Sequence, residues 1–205
     1  GRAFLLYNDL MRVFHQHFAI PDEEMLDIIL SVALHSTLQK KDSPLWIVLK
    51  SPSGSGKTLL GWMPFQTLES VRNIDSITTK TFITGHKNGQ DLLPKLNNTL
   101  VLMKDISLIS SMQRNQMLEL LSQLRHIHDG TLQSRWGSEK VSANYSVMFD
   151  LIACTTPNLW ESIHVVDANL GERMIPISQR ISPAARDEIG DRAGANNGRR
   201  AEIQN

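Results

Sequence analysis

Eight consecutive residues, Ser51 to Thr58 (Ser-Pro-Ser-Gly-Ser-Gly-Lys-Thr), have the types and spacing of a loop that cradles phosphate. Backbone N–H groups of such a loop converge on phosphate oxygens. Gly54 and Gly56 leave room for the tight turn and for close approach of the ligand. The Lys57 ammonium suits the β and γ phosphates and the Thr58 hydroxyl suits Mg²⁺, both at the positive end of the helix expected to open there. Ser53, Gly54, Ser55, Gly56, Lys57 and Thr58 form the candidate nucleotide-binding set. Ser51 departs from the pattern, since glycine is usual at that position. A negative φ makes serine tolerable there, and Pro52 stiffens the loop by fixing its own φ at about −65°.

Other polar residues stand where buried strands end. Asp105 follows the apolar run Leu100–Met103 and is either an acid that holds Mg²⁺ or orients water, or the cap of a helix near Ser107–Ser111. Thr156 and Asn158 follow the apolar run that ends at Cys154. Either of them can sense a γ-phosphate at the carboxyl edge of a sheet, or simply form the turn before the next helix. Arg173, in a Gly-Glu-Arg turn, fits an arginine supplied to a neighbouring subunit, or one that pairs with a nearby carboxylate. Arg135, Trp136 and Lys140 lie at the tip of an expected hairpin. Basic and aromatic groups there suit a nucleic-acid backbone and a stacked base, or else a solvated tip with the tryptophan folded back.

The elements that must position these groups are legible from periodicity. Phe4–Phe18 reads as a helix, and a second opens at Asp22 as its cap, with Met25, Ile28, Ile29 and Val32 as its buried stripe. Lys40–Pro44 reads as a polar connection into a buried strand at Trp46–Leu49. Ile74–Ile83 reads as one or two short strands, and Asn88–Leu96 as a short helix limited by Pro94. Leu100–Met103 reads as a buried strand beside the phosphate-loop strand. Ser111–Ile127 carries an apolar stripe at Met117, Leu120, Leu121, Leu124 and Ile127. Thr131–Trp136 and Glu139–Val147 flank Gly137-Ser138 as a hairpin with a two-residue connection. Phe149–Cys154 reads as a third buried strand, Leu159–His164 as a helix, and the run at Ile175–Ile177 as an edge strand because of Pro176. His126 and His128, two apart on a helix, do not share a face and read as surface residues.

Composition bounds the rest. A chain of 205 residues buries one substantial core, and 21 basic against 21 acidic residues gives no global field toward nucleic acid. The single Cys154, inside an apolar run, reads as a buried thiol rather than half of a disulfide. No run reaches membrane-spanning length, so the expectation is a cytoplasmic protein without membrane contact. Residues 1–44 read as an N-terminal helical segment and residues 45–180 as the core with its hairpin at 131–147. Residues 181–205 read as a flexible tail or the start of a missing lid.

The order of these pieces resembles that of AAA+ ATPases. The hairpin just before the Thr156 strand is similar to that of the minichromosome-maintenance helicase branch. Ile77-Thr78-Thr79-Lys80-Thr81, Leu92–Leu96, Lys104-Asp105, Leu124-Arg125 with Asp129-Gly130, Thr155-Thr156-Pro157 and Leu170–Arg173 also look like a group of phage and mobile-element replication ATPases. The resemblance implies an α/β, P-loop NTPase (AAA+-like) three-layer core with a central parallel sheet. It further implies ATP and Mg²⁺ as cofactors and self-association into a ring, typically a hexamer. Lys57 and Thr58 match the Walker A lysine and hydroxyl, Asp105 a Walker B acid, Thr156 or Asn158 the sensor, and Arg173 the arginine finger. The expected function is a helicase-like motor on DNA. The rivals are a nucleotide-controlled binding module and a small-molecule P-loop kinase, the latter disfavoured because no arginine-bearing lid follows.

Overall fold

The structure is a computed structural model. It describes residues 2–17, 20, 22–38, 40–55, 61, 65, 68–82, 91–130, 132–136, 141–166, 173–180 and 182–196. Its elements are α1 (Arg2–His17), α2 (Glu23–Ser36), β1 (Trp46–Lys50), β2 (Val71–Asn73), a 3-10 turn (Leu93–Leu96), β3 (Leu100–Met103), α3 (Ser107–Ser110), α4 (Arg114–His128), β4 (Leu132–Trp136), β5 (Val141–Tyr145), β6 (Asp150–Thr155), α5 (Pro157–Val166), β7 (Ile175–Ser178) and α6 (Pro183–Asn196).

Five strands form one parallel sheet in the order β2-β3-β6-β1-β7, and β4 pairs antiparallel with β5 apart from it. The apolar runs explain why the sheet is covered on both faces. Alternate side chains point to opposite faces of a strand. Trp46, Val48, Val101, Met103, Leu151 and Ala153 pack with Met117, Leu120, Leu124 and Trp160 of α4 and α5. Their neighbours Ile47, Leu49, Leu100, Leu102, Ile152 and Cys154 pack with Phe14, Met25, Leu26, Ile29 and Val32 of α1 and α2. The result is three layers, with the inner strands β3, β6 and β1 covered on both faces and the edge strand β7 largely exposed. Gly61, in helical conformation after the phosphate loop, sits on the second face. A Cβ there would lie 2.6 Å from Leu49 Cδ1 and 3.5 Å from Ile152 Cγ2, so the backbone at Gly61 rests directly on the sheet.

Several expectations are corrected. The β3 strand is not beside β1, because β6 lies between them. In α2 the buried stripe runs through Met25, Leu26, Ile29 and Val32, with Ile28 exposed, while Asp22 caps the helix by accepting from Met25 N at 3.1 Å as expected. The second strand is Val71–Asn73 rather than part of Ile74–Ile83. There, Thr78 N donates to Thr81 Oγ1 at 2.7 Å, so a threonine hydroxyl closes a turn in place of a strand ladder. Pro94 starts the 3-10 turn at Leu93–Leu96 instead of limiting a helix, and residues 88–90 lie outside the described ones. The hairpin forms as expected, with Trp136↔Val141 as its last described pair, and residues 137–140, which hold the expected two-residue connection, lie outside the described residues. Residues 183–196 form helix α6, begun by Ser182 Oγ accepting from Ala185 N at 3.1 Å and anchored by buried Ile189. An alanine-rich run with a serine cap and a proline in its first turn favours a helix even without an apolar stripe. Edge-strand β7, with Pro176, and buried Cys154 are as expected.

At the amino edge of the sheet, charges hold the helical collar to the core. Asp150 is fully buried and accepts from Lys41 Nζ at 2.9 Å and from Leu45 N at 2.7 Å, with His35 Nδ1 at 3.0 Å. The Lys41 side chain is 1% exposed and also donates to Ser36 O. Lys41 is therefore a buried anchor, not part of a solvated connection.

Candidate phosphate-loop site

The described part of the phosphate loop leaves β1 at the carboxyl edge of the sheet. Gly54 has φ +76°, a left-handed conformation that costs glycine little and other residues more, whereas Ser51 is not among the positive-φ residues. Ser53 and Gly54 are exposed, while Ser51 and Ser55 are each 1% exposed. Ser51 Oγ lies 2.5 Å from Ser55 Oγ and 2.5 Å from Gln179 Oε1. A carbonyl oxygen only accepts, so the single Ser51 hydrogen goes to Gln179 and the Ser55 hydroxyl donates to Ser51. Main-chain bonds fix the same point: Ser51 N donates to Thr155 O at 3.2 Å and Gln179 N to Lys50 O at 3.0 Å. Gly56, Lys57 and Thr58 lie outside the described residues.

Asp105 reaches the same edge. Ile106 N donates to Cys154 O at 3.1 Å, which ties the end of β3 to the end of β6. The exposed Asp105 carboxylate accepts from Ser107 N through Oδ1 at 2.8 Å. It thus closes an Asx turn just ahead of α3, whose N-cap residue is Ile106. Thr156 is half-buried between β6 and α5, and its carbonyl accepts from Trp160 N at 3.1 Å, so it begins the helix. Asn158 is exposed in the first turn of α5, which starts at Pro157 rather than at Leu159. The sheet order therefore gathers the loop neck, Thr155, Thr156 and Asp105 along one edge, with β6 as the middle strand.

Arg173 stands elsewhere, ahead of β7. Its Nε donates to Asp129 Oδ1 at 2.8 Å and its Nη2 to Asp129 Oδ2 at 2.9 Å, a two-point pair within the chain. Bonding from Arg173 holds the Asp129 carboxyl below the usual carboxylate range, and Asp129 in turn raises Arg173. Next to them His128 is partly buried, edge-on to Trp46 with ring centroids 5.1 Å apart. It is not the surface residue its spacing implied. Burial lowers its pKa, outweighing the opposing pull of Asp129. His126 is exposed as expected.

Arg135 and Trp136 are the last two residues of β4, and Lys140 lies outside the described residues. Among the described residues no group of three or more His, Cys, Asp or Glu is arranged to hold a metal, and no helix is long and apolar enough to cross a membrane. Gln179 is not singled out in the sequence, and Asp129 figures there only within Asp129-Gly130, not as a partner of Arg173. The polar pair Ser178-Gln179 at the end of a parallel strand was the available signal for Gln179.

The chain superposes on a crystal structure of NtrX from Brucella abortus in complex with ADP, with a TM-score of 0.53 and 16% identity over 92% of this chain. The fold is that of a P-loop NTPase core. The match covers 42% of the NtrX chain. NtrX in complex with ATP matches with a TM-score of 0.46 and 16% identity over 81% of this chain and 38% of that one. No protein-family model and no curated protein sequence matches the chain. Along the chain, α1 and α2 lie on one face of the sheet, the hairpin β4–β5 falls between α4 and β6, and α6 follows the edge strand β7.

Proposed function

We propose that this chain binds and hydrolyses ATP as an AAA+-type motor core. One observation carries the reading. The strand order brings the phosphate loop after β1, the polar end of β6 and the acid after β3 to a single edge, where a P-loop fold takes its nucleotide. Lys57 neutralises phosphate charge, Thr58 and Asp105 hold Mg²⁺, and Thr156 or Asn158 orients the attacking water. The bound Mg²⁺ supplies electrostatic stabilisation of charge on the transferred phosphoryl group. The NtrX structure in complex with ADP supports a nucleotide as the ligand. The finer reading is a helicase-like motor on DNA in phage or mobile-element replication, assembled as a ring. There, Arg173 acts on a neighbouring subunit and Arg135, Trp136 and Lys140 touch DNA. It draws on the hairpin, which stands as a separate two-stranded unit ahead of the β6 strand.

A second reading has its own support. Asp105 is a single acid with one oxygen already used by Ser107 N, which suits a nucleotide-controlled binding module with slow hydrolysis or none. ATP turnover with and without single- and double-stranded DNA separates the two. The motor shows DNA-stimulated turnover that Lys57→Ala abolishes, and undiminished turnover in that variant removes the site assignment. Tight nucleotide binding without turnover leaves the module.

A further inference from the structure

We infer that Gln179 is a positioning residue for the phosphate loop, holding its neck closed through Ser51 and Ser55. This rests on the nucleotide-binding reading and concerns the same site. Ser51 and Ser55 stand four residues apart. Their hydroxyl contact closes the loop below exposed Ser53 and Gly54. The glycine usual at position 51 has no hydroxyl with which to make that closure. The structure thus gives the departure at Ser51 a purpose, and Gln179 is the residue that completes it. Its Oε1 takes the Ser51 hydrogen, which obliges the Ser55 hydroxyl to point inward.

The Gln179 amide is itself unusual. It is 9% exposed, yet among the described residues its Nε2 has no hydrogen-bond partner. Reversing the amide does not help, because Nε2 would then serve Ser51 and leave Oε1 alone. A buried amide with half its capacity unused is rare and is retained where it serves a site. Here it lies against the neck of a loop whose ligand is a highly charged acceptor. A loop already closed loses less conformational freedom when phosphate binds, so the contact favours affinity without touching the ligand.

The test is the affinity of the whole chain for ADP, measured for the parent, Gln179→Leu, Ser51→Gly and the double variant. Each single change is expected to weaken binding by roughly five- to tenfold, the effect of one hydrogen bond. The double variant is expected to be no weaker than the poorer single, because both break one network. In steady-state turnover the loss falls on KM for ATP and not on kcat. Thermal midpoints without nucleotide report whether each variant folds. If Gln179→Leu does not fold, Ser51→Gly decides alone. Parent-like affinity in a folded variant, additive losses, or a loss confined to kcat overturns the inference. A parent chain that binds no ADP overturns the nucleotide reading and the positioning role with it. A parent that binds while its variants match it overturns the positioning role only.

Discussion

Arg173 and Asp129, 44 residues apart, meet in a two-point ion pair with N–O distances of 2.8 and 2.9 Å. The guanidinium proposed to serve a neighbour's site is therefore held within its own chain, at the turn between α4 and the hairpin. The side chains are 29% and 43% exposed, so solvent screens the pair and it contributes about 0.5–1 kcal/mol. Arg173→Ala is expected to lower the thermal midpoint by only a few degrees. In the assembled protein it is expected to lower ATP turnover by on the order of 10³ if the arginine acts in trans. Asp129→Asn removes the carboxylate charge facing the guanidinium and tests the two roles apart. Retained turnover in Asp129→Asn with loss in Arg173→Ala supports the trans role, and equal small losses in both leave only the pairing.

Asp105 carries two separable duties. Asparagine preserves an acceptor for Ser107 N but removes the charge, while alanine removes both. Asp105→Asn is expected to keep parental stability while ATP turnover falls by about two orders of magnitude or more. Asp105→Ala is expected to lose about 1 kcal/mol of stability in addition, the effect of one hydrogen bond. Chemical denaturation and steady-state turnover measure the two effects. Full activity in Asp105→Asn would reduce the residue to a turn former ahead of α3.

Burial makes the Lys41–Asp150 pair a structural matter. Asp150→Ala strips the Lys41 ammonium of its carboxylate while leaving it 1% exposed, and is expected to cost about 3–5 kcal/mol in urea unfolding. Asp150 begins β6, and the loop neck lies at its other end, about 16 Å along the strand. ADP affinity of the folded fraction is therefore expected to stay within about twofold of the parent. A loss below about 1 kcal/mol would show that the pair is replaceable by water.

His128 gives the fold a pH dependence of defined sign. Burial lowers its pKa in the folded chain, so the unfolded chain takes up the proton first and stability falls as pH drops below about 6.5. Asp129 acts in the same direction at lower pH. Its depressed pKa means that stability present above about pH 4 is lost as the solution is acidified through the folded value. Thermal midpoints from pH 7.5 to 5.5 are expected to fall more steeply for the parent than for His128→Gln. Parallel curves would remove His128 from the account.

The sequence determined most of what periodicity and turn chemistry govern. The runs Trp46–Leu49 and Leu100–Met103 became buried strands because every residue in them finds an apolar partner on one face or the other. The α4 stripe from Met117 to Ile127 was fixed by its 3.6-residue repeat. The phosphate loop is a local pattern, and its described half, Ser51–Ser55, takes the turn that Gly54 allows. Local signals failed where side chains overrode propensity, as when Thr78 and Thr81 closed a turn inside a β-branched run.

Tertiary structure alone decided the rest, because the partners concerned are chosen by packing. No spacing says that β6 enters between β1 and β3, yet that insertion puts Asp105 and Thr156 on one edge. Lys41 is a lysine in a polar stretch until Asp150, 109 residues away, meets it in the interior. Ser51 is a blemish in a glycine-rich loop until Gln179, 128 residues away, arrives at the end of β7 to accept its hydrogen. Each depends on desolvation bringing distant polar groups together, where an unmet hydrogen bond is costly and the available partner is set by the fold.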